Sequence, residues 1–489
     1  MKLKLTLLTI TFALMQHAAR GDTIISGGPV TGLWSLANSP YIVQSNISVP
    51  PGGQLTLEPG VIVKFDANVW ISIAGCMVAQ GTLSNLITFT SSASLPVPGA
   101  WSGIQVTAGG PRTIFDHVDV AFAVYGITVE GNNAQVTISN GNVHDCSYSG
   151  VVVDVDSGEY IDATDVIISR NRIHDCNYGV WVRAYGLTPS SRAAPAVDQN
   201  EIYDNTYGAF INAVRLFGFG SVNAASASPV FTRNFVHRNG IGIIGGATQY
   251  ASMGGSFLNN LIVENTGNGI EMGNNSYPGI VNNTIVRNQG AGLAHSTFFR
   301  GTFRNNIVFS NSVGLRSDAP FTPATNQFAL NNVAANIAVN WSNYPATYGS
   351  VAATNLNGTA ADSEGNISTE PQFVTGGDYR LQPTSACVNA GLTDGAPLMD
   401  YNGNTRFNPP DIGAFEVAPY LRLGFPIRTN NSTLLRISAQ AVRVFSVESS
   451  TNLVSWTNIA VLTNYTGSLD FTDASSDNAG RRFYRARPQ

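Results

Sequence analysis

Lysine is almost missing from this chain: Lys2, Lys4 and Lys64 are its only three in 489 residues. A lysine base or a lysine phosphate clamp in the body of the protein is all but excluded. Charged residues of every kind reach only 12%, the net charge is −5, and no basic cluster occurs. That balance argues against nucleic acid as a partner, because phosphate neutralisation needs a concentrated positive face. Cysteine is scarce too. Cys76, Cys146, Cys176 and Cys387 form no C-x-x-C pair, so neither a zinc site nor a thioredoxin-type site is indicated. There is no G-x-S-x-G, no H-E-x-x-H and no phosphate-binding loop. No apolar run beyond residue 21 is long enough for a membrane helix, and no membrane span is expected.

What the chain has instead is glycine, 49 residues of it, with Asn, Ser and Thr throughout and 43% hydrophobic residues. This suits short strands and many turns, not a helical enzyme and not a disordered chain. The opening MKLKLTLLTITFALMQHAARG has two lysines, an apolar run from Leu5 to Met15, and small residues Ala19 and Gly21 before Asp22. It reads as a secretory signal peptide over residues 1–21, so a secreted location is expected: extracellular, periplasmic or cell surface.

From residue 170 a pattern recurs: RNRIHDCNYGVWVR, QNEIYDNTYGAFI, TRNFVHRNGIGII, RNNIVFSNSVGLR. Aligned on Asn171, Asn200, Asn234, Asn260, Asn283, Asn306 and Asn331, the repeats are spaced 29, 34, 26, 23, 23 and 25 residues. Such a period marks a solenoid. Apolar alternation on both sides of a polar corner implies strands. One strand per repeat cannot bury its apolar face alone, but coils stacked about 4.8 Å apart can. The recurrent Asn then has two expected tasks, bonding the Asn of the next coil and adopting the left-handed corner; Gly serves where a Cβ would clash. Cys146 and Cys176 fall at one corner of consecutive coils, as stacked thiols or as a disulfide. Asn205, Asn239, Asn265, Asn288 and Asn311 take that corner later.

The pattern resembles the right-handed parallel β-helix family, the pectin-lyase-like solenoids, over roughly residues 40–345. LTLEPGVIVKF, AQGT, ITFTS and the Trp101-Ser-Gly-Ile run look like opening coils of secreted bacterial members, with residues 22–46 as an expected cap. GNISTEPQF, TSACVNAG and DIGAFE resemble the segment that commonly follows such solenoids. VESSTNLVSWTNI, DFTD and RRFYRA resemble a short C-terminal module of secreted proteins from Verrucomicrobia-type bacteria, which implies an accessory or sorting role. The expected fold is all-β: a signal peptide over 1–21, a right-handed parallel β-helix with its cap over 22–345, a terminal coil and bracket over 346–418, and a small β-sandwich-like module over 419–489.

Family members that cleave acidic polysaccharides generally use Arg or Lys as base, often with Ca²⁺; here only Arg is available. Abstracting the proton beside a uronate carboxylate needs a base and a cation. Counted from the strand glycines, Thr128, Val152, Trp181 and Phe210 share one outward row, and Glu130, Asp154, Arg183 and Asn212 another. Arg183 and Asp154 are the candidate catalytic pair; Trp181, Phe210, Asn212 and Glu130 are the candidate sugar contacts. Asp154, Asp156 and Glu159 are candidate Ca²⁺ ligands, set against a solvated acidic loop. Asp400, Asn402, Asn404 and Asp411 read as a turn in the bracket. The Asp116–His117, His144–Asp145 and His174–Asp175 neighbours are expected to point to opposite faces. Glu271, His295 and Arg316 lie near a later strand. The expected function is an exported monomer that engages polysaccharide on the solenoid face, with lyase or hydrolase cleavage as its stronger form. The alternative is a non-catalytic structural or adhesive scaffold.

Overall fold

The computed structural model describes residues 21–107, 110–130, 133–157, 162–163, 165–186, 191–215, 225–418, 421–429, 432–439, 443–464, 468–474 and 481–488. Each coil contributes one short strand to each of three parallel sheets. In one coil these are Val166–Ser169 in sheet C, Arg172–His174 in sheet A and Tyr178–Gly186 in sheet B. Stacking gives 13 strands in sheet A, 13 in sheet B and 12 in sheet C. Alternate side chains such as Val180 and Val182 point into a continuous buried core, and Trp181 and Arg183 point out. The expected cap is itself a coil: Thr23–Ile25, Gly28–Pro29 and Gly32–Trp34 open sheets A, B and C.

Two tight corners shape the coil. Between sheets C and A the chain turns at Arg170-Asn171, and between A and B at Asp175-Cys176. The left-handed residue is the first of each pair, with φ of 56° at Arg170 and 54° at Asp175. The sequence reading gave that conformation to Asn171 itself. The structure divides the work: the first residue turns the chain and exposes its side chain, and the second points inward to the ladder.

The ladder runs through the later coils of the solenoid, from Asn171 onward. Asn171 donates from Nδ2 to Asn200 Oδ1, and the chain continues through Asn234, Asn260, Asn283, Asn306 and Asn331 to Asn366 at 2.9–3.2 Å. It ends on the carboxylate of Asp362. Each Oδ1 also accepts the backbone N–H of the preceding ladder Asn, as Asn260 Oδ1 does from Asn234 at 3.0 Å. A second ladder joins Asn205, Asn239, Asn265, Asn288, Asn311, Asn336 and Asn340 at the other corner, at 2.8–3.1 Å. Cys146 and Cys176 head it as free thiols. The Cys176 thiol donates to the His174 carbonyl at 3.2 Å, the place Asn239 fills toward His237 at 3.0 Å.

Beside this ladder the glycines stack. A Cβ on Gly179 would sit 2.5 Å from the Gly208 carbonyl oxygen, and one on Gly208 equally close to that of Gly242. These glycines are required by close approach of coils, not by backbone conformation.

Residues 346–418 fold back over the outer face of sheet A in the later coils. Tyr379, Ala414 and Phe415 pack on Leu261, Val263 and Val286. The Asn doublets of the sequence explain the attachment. In Asn259-Asn260, Asn282-Asn283 and Asn305-Asn306 the second residue is a ladder rung, and the first holds this segment. Asn259 donates to Met399 O at 2.6 Å, Asn282 to Asp411 O at 2.8 Å and Asn305 to Leu392 O at 2.8 Å. Asp400 is a turn residue: Oδ1 accepts from the N–H groups of Asn402 at 2.9 Å and Asn404 at 2.8 Å. The Arg406–Glu416 pair beneath it, at 3.1 Å, is buried. Beyond it lie two small antiparallel sheets around Leu435, Ile437, Phe445 and Val447.

Asn260→Ala removes two donated and two accepted bonds in a dry interior. It is expected to cost about 3 kcal/mol, because the partners stay buried and unpaired. Chemical denaturation of the full chain measures this; a loss below about 0.5 kcal/mol would mean the ladder contributes little.

Candidate functional site on sheet B

Sheet B carries the longest strands, Ser149–Ser157, Tyr178–Gly186 and Tyr207–Arg215. Their register sets Val152, Trp181 and Phe210 side by side, and likewise Asp154, Arg183 and Asn212. Arg183 Nε donates to Asp154 Oδ1 at 2.7 Å, and its NH2 group to Oδ2. Asp154 is buried, with 7% of its surface exposed. The guanidinium lies 5.1 Å from the Trp181 ring centre and 5.3 Å from that of Tyr185. Trp181 and Phe210 stack at 6.1 Å, and the Trp181 indole N–H donates to Asn212 at 2.8 Å. Glu130 accepts from Gln105 Nε2 at 2.5 Å.

This geometry limits the chemistry. Both Asp154 oxygens accept from Arg183, and a guanidinium keeps its proton in proteins. The pair is a fixed salt bridge with a stacked cation, able to orient a ligand but not to abstract a proton as it stands. The side chains of Asp156 and Glu159 lie outside the described residues, and among the described residues no group of three His, Cys, Asp or Glu side chains is placed to hold a metal ion.

A row of tyrosines was missed from the sequence. Tyr125, Tyr148, Tyr178 and Tyr207 succeed one another at 5.1, 5.3 and 5.2 Å, with Trp181 and Phe210 packed against them. The signal was the Tyr-Gly pair at 125–126, 178–179 and 207–208. Inside the row each ring packs against neighbours on both sides. At its N-terminal end they do not: Trp70 is 42% exposed and Tyr125 36%. With Ser102, Gln105, Thr128 and Glu130 these two line a hollow of about 280 Å³. Burial first, and then Tyr148, raises the Tyr125 phenol above its usual range, so it stays neutral.

The outer face of sheet A bears a different row. His144, His174, Tyr203 and His237 stack at 5.1, 4.6 and 5.2 Å. The expectation that His–Asp neighbours diverge fails here. His144 Nδ1 lies 2.7 Å from Asp145, His174 Nδ1 2.6 Å from Asp175, and His117 Nδ1 3.0 Å from Asp116. Strand alternation stops at the corner, where His117, Asp145 and Asp175 all have positive φ. Burial pulls the His144 imidazole down, but hydrogen bonds to Asp119 and Asp145 outweigh it and hold it up at about 9. His295, a sequence candidate, turns inward among Phe299, Phe321 and Phe328, and burial pushes it down to about 4.

Comparison with known proteins places the architecture. Residues 103–333 match the family model described as "Right handed beta helix region". That segment is the middle of the solenoid. An 84-residue stretch is 32% identical to Protein bark beetle of Drosophila melanogaster; it spans 17% of this chain and 3% of that protein. Among solved structures, the A-module of an Azotobacter vinelandii mannuronan C-5 epimerase is similar, at 13% identity, 72% of this chain, 92% of that one and TM-score 0.33. A periplasmic alginate epimerase matches at 13% identity over 71% and 83%, with TM-score 0.35. A tailspike protein of Acinetobacter baumannii bacteriophage Fri1, a capsular polysaccharide depolymerase, matches at 9% identity over 86% and 73%, with TM-score 0.31. At these values the likenesses carry nothing about activity. Among the described residues no helix is long and apolar enough to cross a membrane.

Two outcomes follow from the site's electrostatics. Arg183→Ala is expected to destabilise the chain by about 3 kcal/mol, because it leaves Asp154 charged and buried; Asp154→Ala with Arg183→Ala is expected to cost less than the single change. A double-mutant cycle in denaturant reads both. His144 is raised from 6.5, so its contribution is complete below that value and is lost as pH rises toward about 9. His295 is lowered from 6.5, so its contribution is complete above that value and is lost as pH falls toward about 4. Melting curves of His144→Gln should fall below wild type near pH 6 and converge with it at about pH 10.

Proposed function

We propose that the outer face of sheet B binds an extracellular polysaccharide, with export supplied by the leader expected over residues 1–21. The observation that carries this reading is the hollow in which Trp70 and Tyr125 stay exposed beside Gln105 and Glu130. A sugar ring offers C–H faces to an aromatic ring and hydroxyls to an amide and a carboxylate, and both kinds of partner are present side by side. The tyrosine row and the Asp154–Arg183 pair extend the same face along the solenoid axis, so a linear chain fits better than a compact ligand. Cleavage is not part of the proposal at Arg183, because its carboxylate partner holds it as a fixed cation.

A scaffold role is favoured by one specific observation: the rings from Tyr148 to Tyr207 pack on each other, and the Trp181 N–H is already bonded. The two readings separate at Trp70. Affinity electrophoresis of the mature chain through gels holding acidic or neutral polysaccharides is the test. Retardation in at least one gel is expected, weakened about tenfold or more in Trp70→Ala and Tyr125→Ala, since each removes a stacking contact. No retardation in any gel, or retardation indifferent to both changes, would leave the scaffold reading.

A further inference from the structure

Further along the same face, the rows change character. After Phe210 the first row continues through Ile244, Glu271, Ala294 and Arg316. Two coils thus separate Glu271 from Arg316, roughly 9–10 Å at the backbone, with the Ala294 methyl group between them. Asp318 follows two residues after Arg316, just past the end of its strand. These three charged residues line a hollow of about 220 Å³, together with Gly273, Ala294 and Ser296.

The charges of this hollow are unequal and only partly engaged. Two carboxylates stand against one guanidinium, so its net charge is negative. Asn268 Nδ2 donates to Glu271 Oε2 at 2.7 Å, and Asp318 Oδ1 accepts from the Thr297 N–H at 2.9 Å. Each carboxylate is therefore oriented through one oxygen, and its other oxygen has no hydrogen-bond partner among the described residues. Arg316 is exposed, and no ion pair or hydrogen bond engages it among the described residues. His295 passes beneath with both ring nitrogens engaged, by Ser296 O at 2.8 Å and the Tyr344 hydroxyl at 2.5 Å. Burial pushes it down to about 4, so it adds no charge at neutral pH.

We propose that this hollow binds a diamino acid of lysine size, with its carboxylate on Arg316, its α-ammonium on Asp318 and its side-chain ammonium on Glu271. The argument is one of matching. A simple anion would meet two carboxylates, and a simple amine would meet the guanidinium. A neutral ligand would leave all three charges without a counter-charge. Two ammonium groups and one carboxylate answer each of them. A guanidinium takes a carboxylate through two parallel hydrogen bonds, and an ionised carboxylate only accepts, so it suits an ammonium with three donors. The methylene chain between the two ends of the ligand would lie over the Ala294 methyl group. The volume is below that of pockets for larger ligands, which limits the occupant to a single small molecule. The Trp70 hollow lies in earlier coils and shares only the sheet, so the inference does not rest on polysaccharide binding.

Calorimetric titration of the full chain with L-lysine, L-norleucine, cadaverine and D-glucuronate is the test. Norleucine lacks the side-chain ammonium, cadaverine lacks the carboxylate, and glucuronate lacks both ammonium groups. Lysine is expected to bind about tenfold or more tighter than each of the other three. Arg316→Gln should bring lysine down to the level of cadaverine, and Glu271→Gln down to that of norleucine. Ala294→Leu should block lysine while leaving the melting temperature unchanged, since it fills the hollow from an outward position. No lysine binding, binding no tighter than that of norleucine or cadaverine, tighter binding of glucuronate, or lysine binding indifferent to these substitutions would overturn the proposal.

Discussion

The buried side-chain amide is the interaction on which this molecule depends. A parallel coil must reverse direction within two residues at each corner, and the inward backbone groups there have no strand to pair with. The Asn side chain meets that need, since it has one acceptor and two donors. Asn260 Oδ1 takes the N–H of the coil below, and its Nδ2 reaches the carbonyl of Phe231 and the next rung, Asn283. Because each rung bonds its successor, the coils cannot slip in register. A slip of one residue would turn every outward side chain inward. The Gly179–Gly208–Gly242 stack adds the second condition, a contact between coils too close for any Cβ.

Fixed register makes the outer faces of the sheets into rows that run along the solenoid axis. The faces then diverge in what covers them. Residues 346–418 lie over the later coils of sheet A, attached by Asn259, Asn282 and Asn305. The earlier coils of sheet A carry histidines tied to carboxylates. Sheet B has the long strands, the tyrosine row and two hollows, one at the N-terminal end of that row and one in coils beyond it. Its central pair, Asp154 and Arg183, is neutralised within itself and suits orientation of a ligand along the axis.

The solenoid and its outward rows were legible in the sequence because the repeat is local: Asn, the corner and Gly fall within about ten residues in each coil. The pairing of Asp154 with Arg183 followed from counting along two strands. What escaped had physical reasons. The Asn doublets could not be divided into rung and anchor, because the anchors' partners lie 87 to 140 residues later. The His–Asp contacts were misread because strand alternation does not hold across a left-handed residue. Trp70 went unnoticed because its coil has no Asn repeat and reads only as alternation. Glu271 and Arg316 were seen, but their alignment, with Ala294 between them, required the observed register.

The central claim is that sheet B, and not sheet A, is the binding face. The two aromatic rows provide an internal comparison. Hydroxyl-radical footprinting of the full chain with and without a retained polysaccharide tests the claim most directly. Protection of Trp70, Tyr125, Trp181 and Phe210, with His144, His174 and Tyr203 unchanged, is the predicted result. Protection confined to the sheet A row, or none on either row while the polysaccharide stays bound, would contradict it.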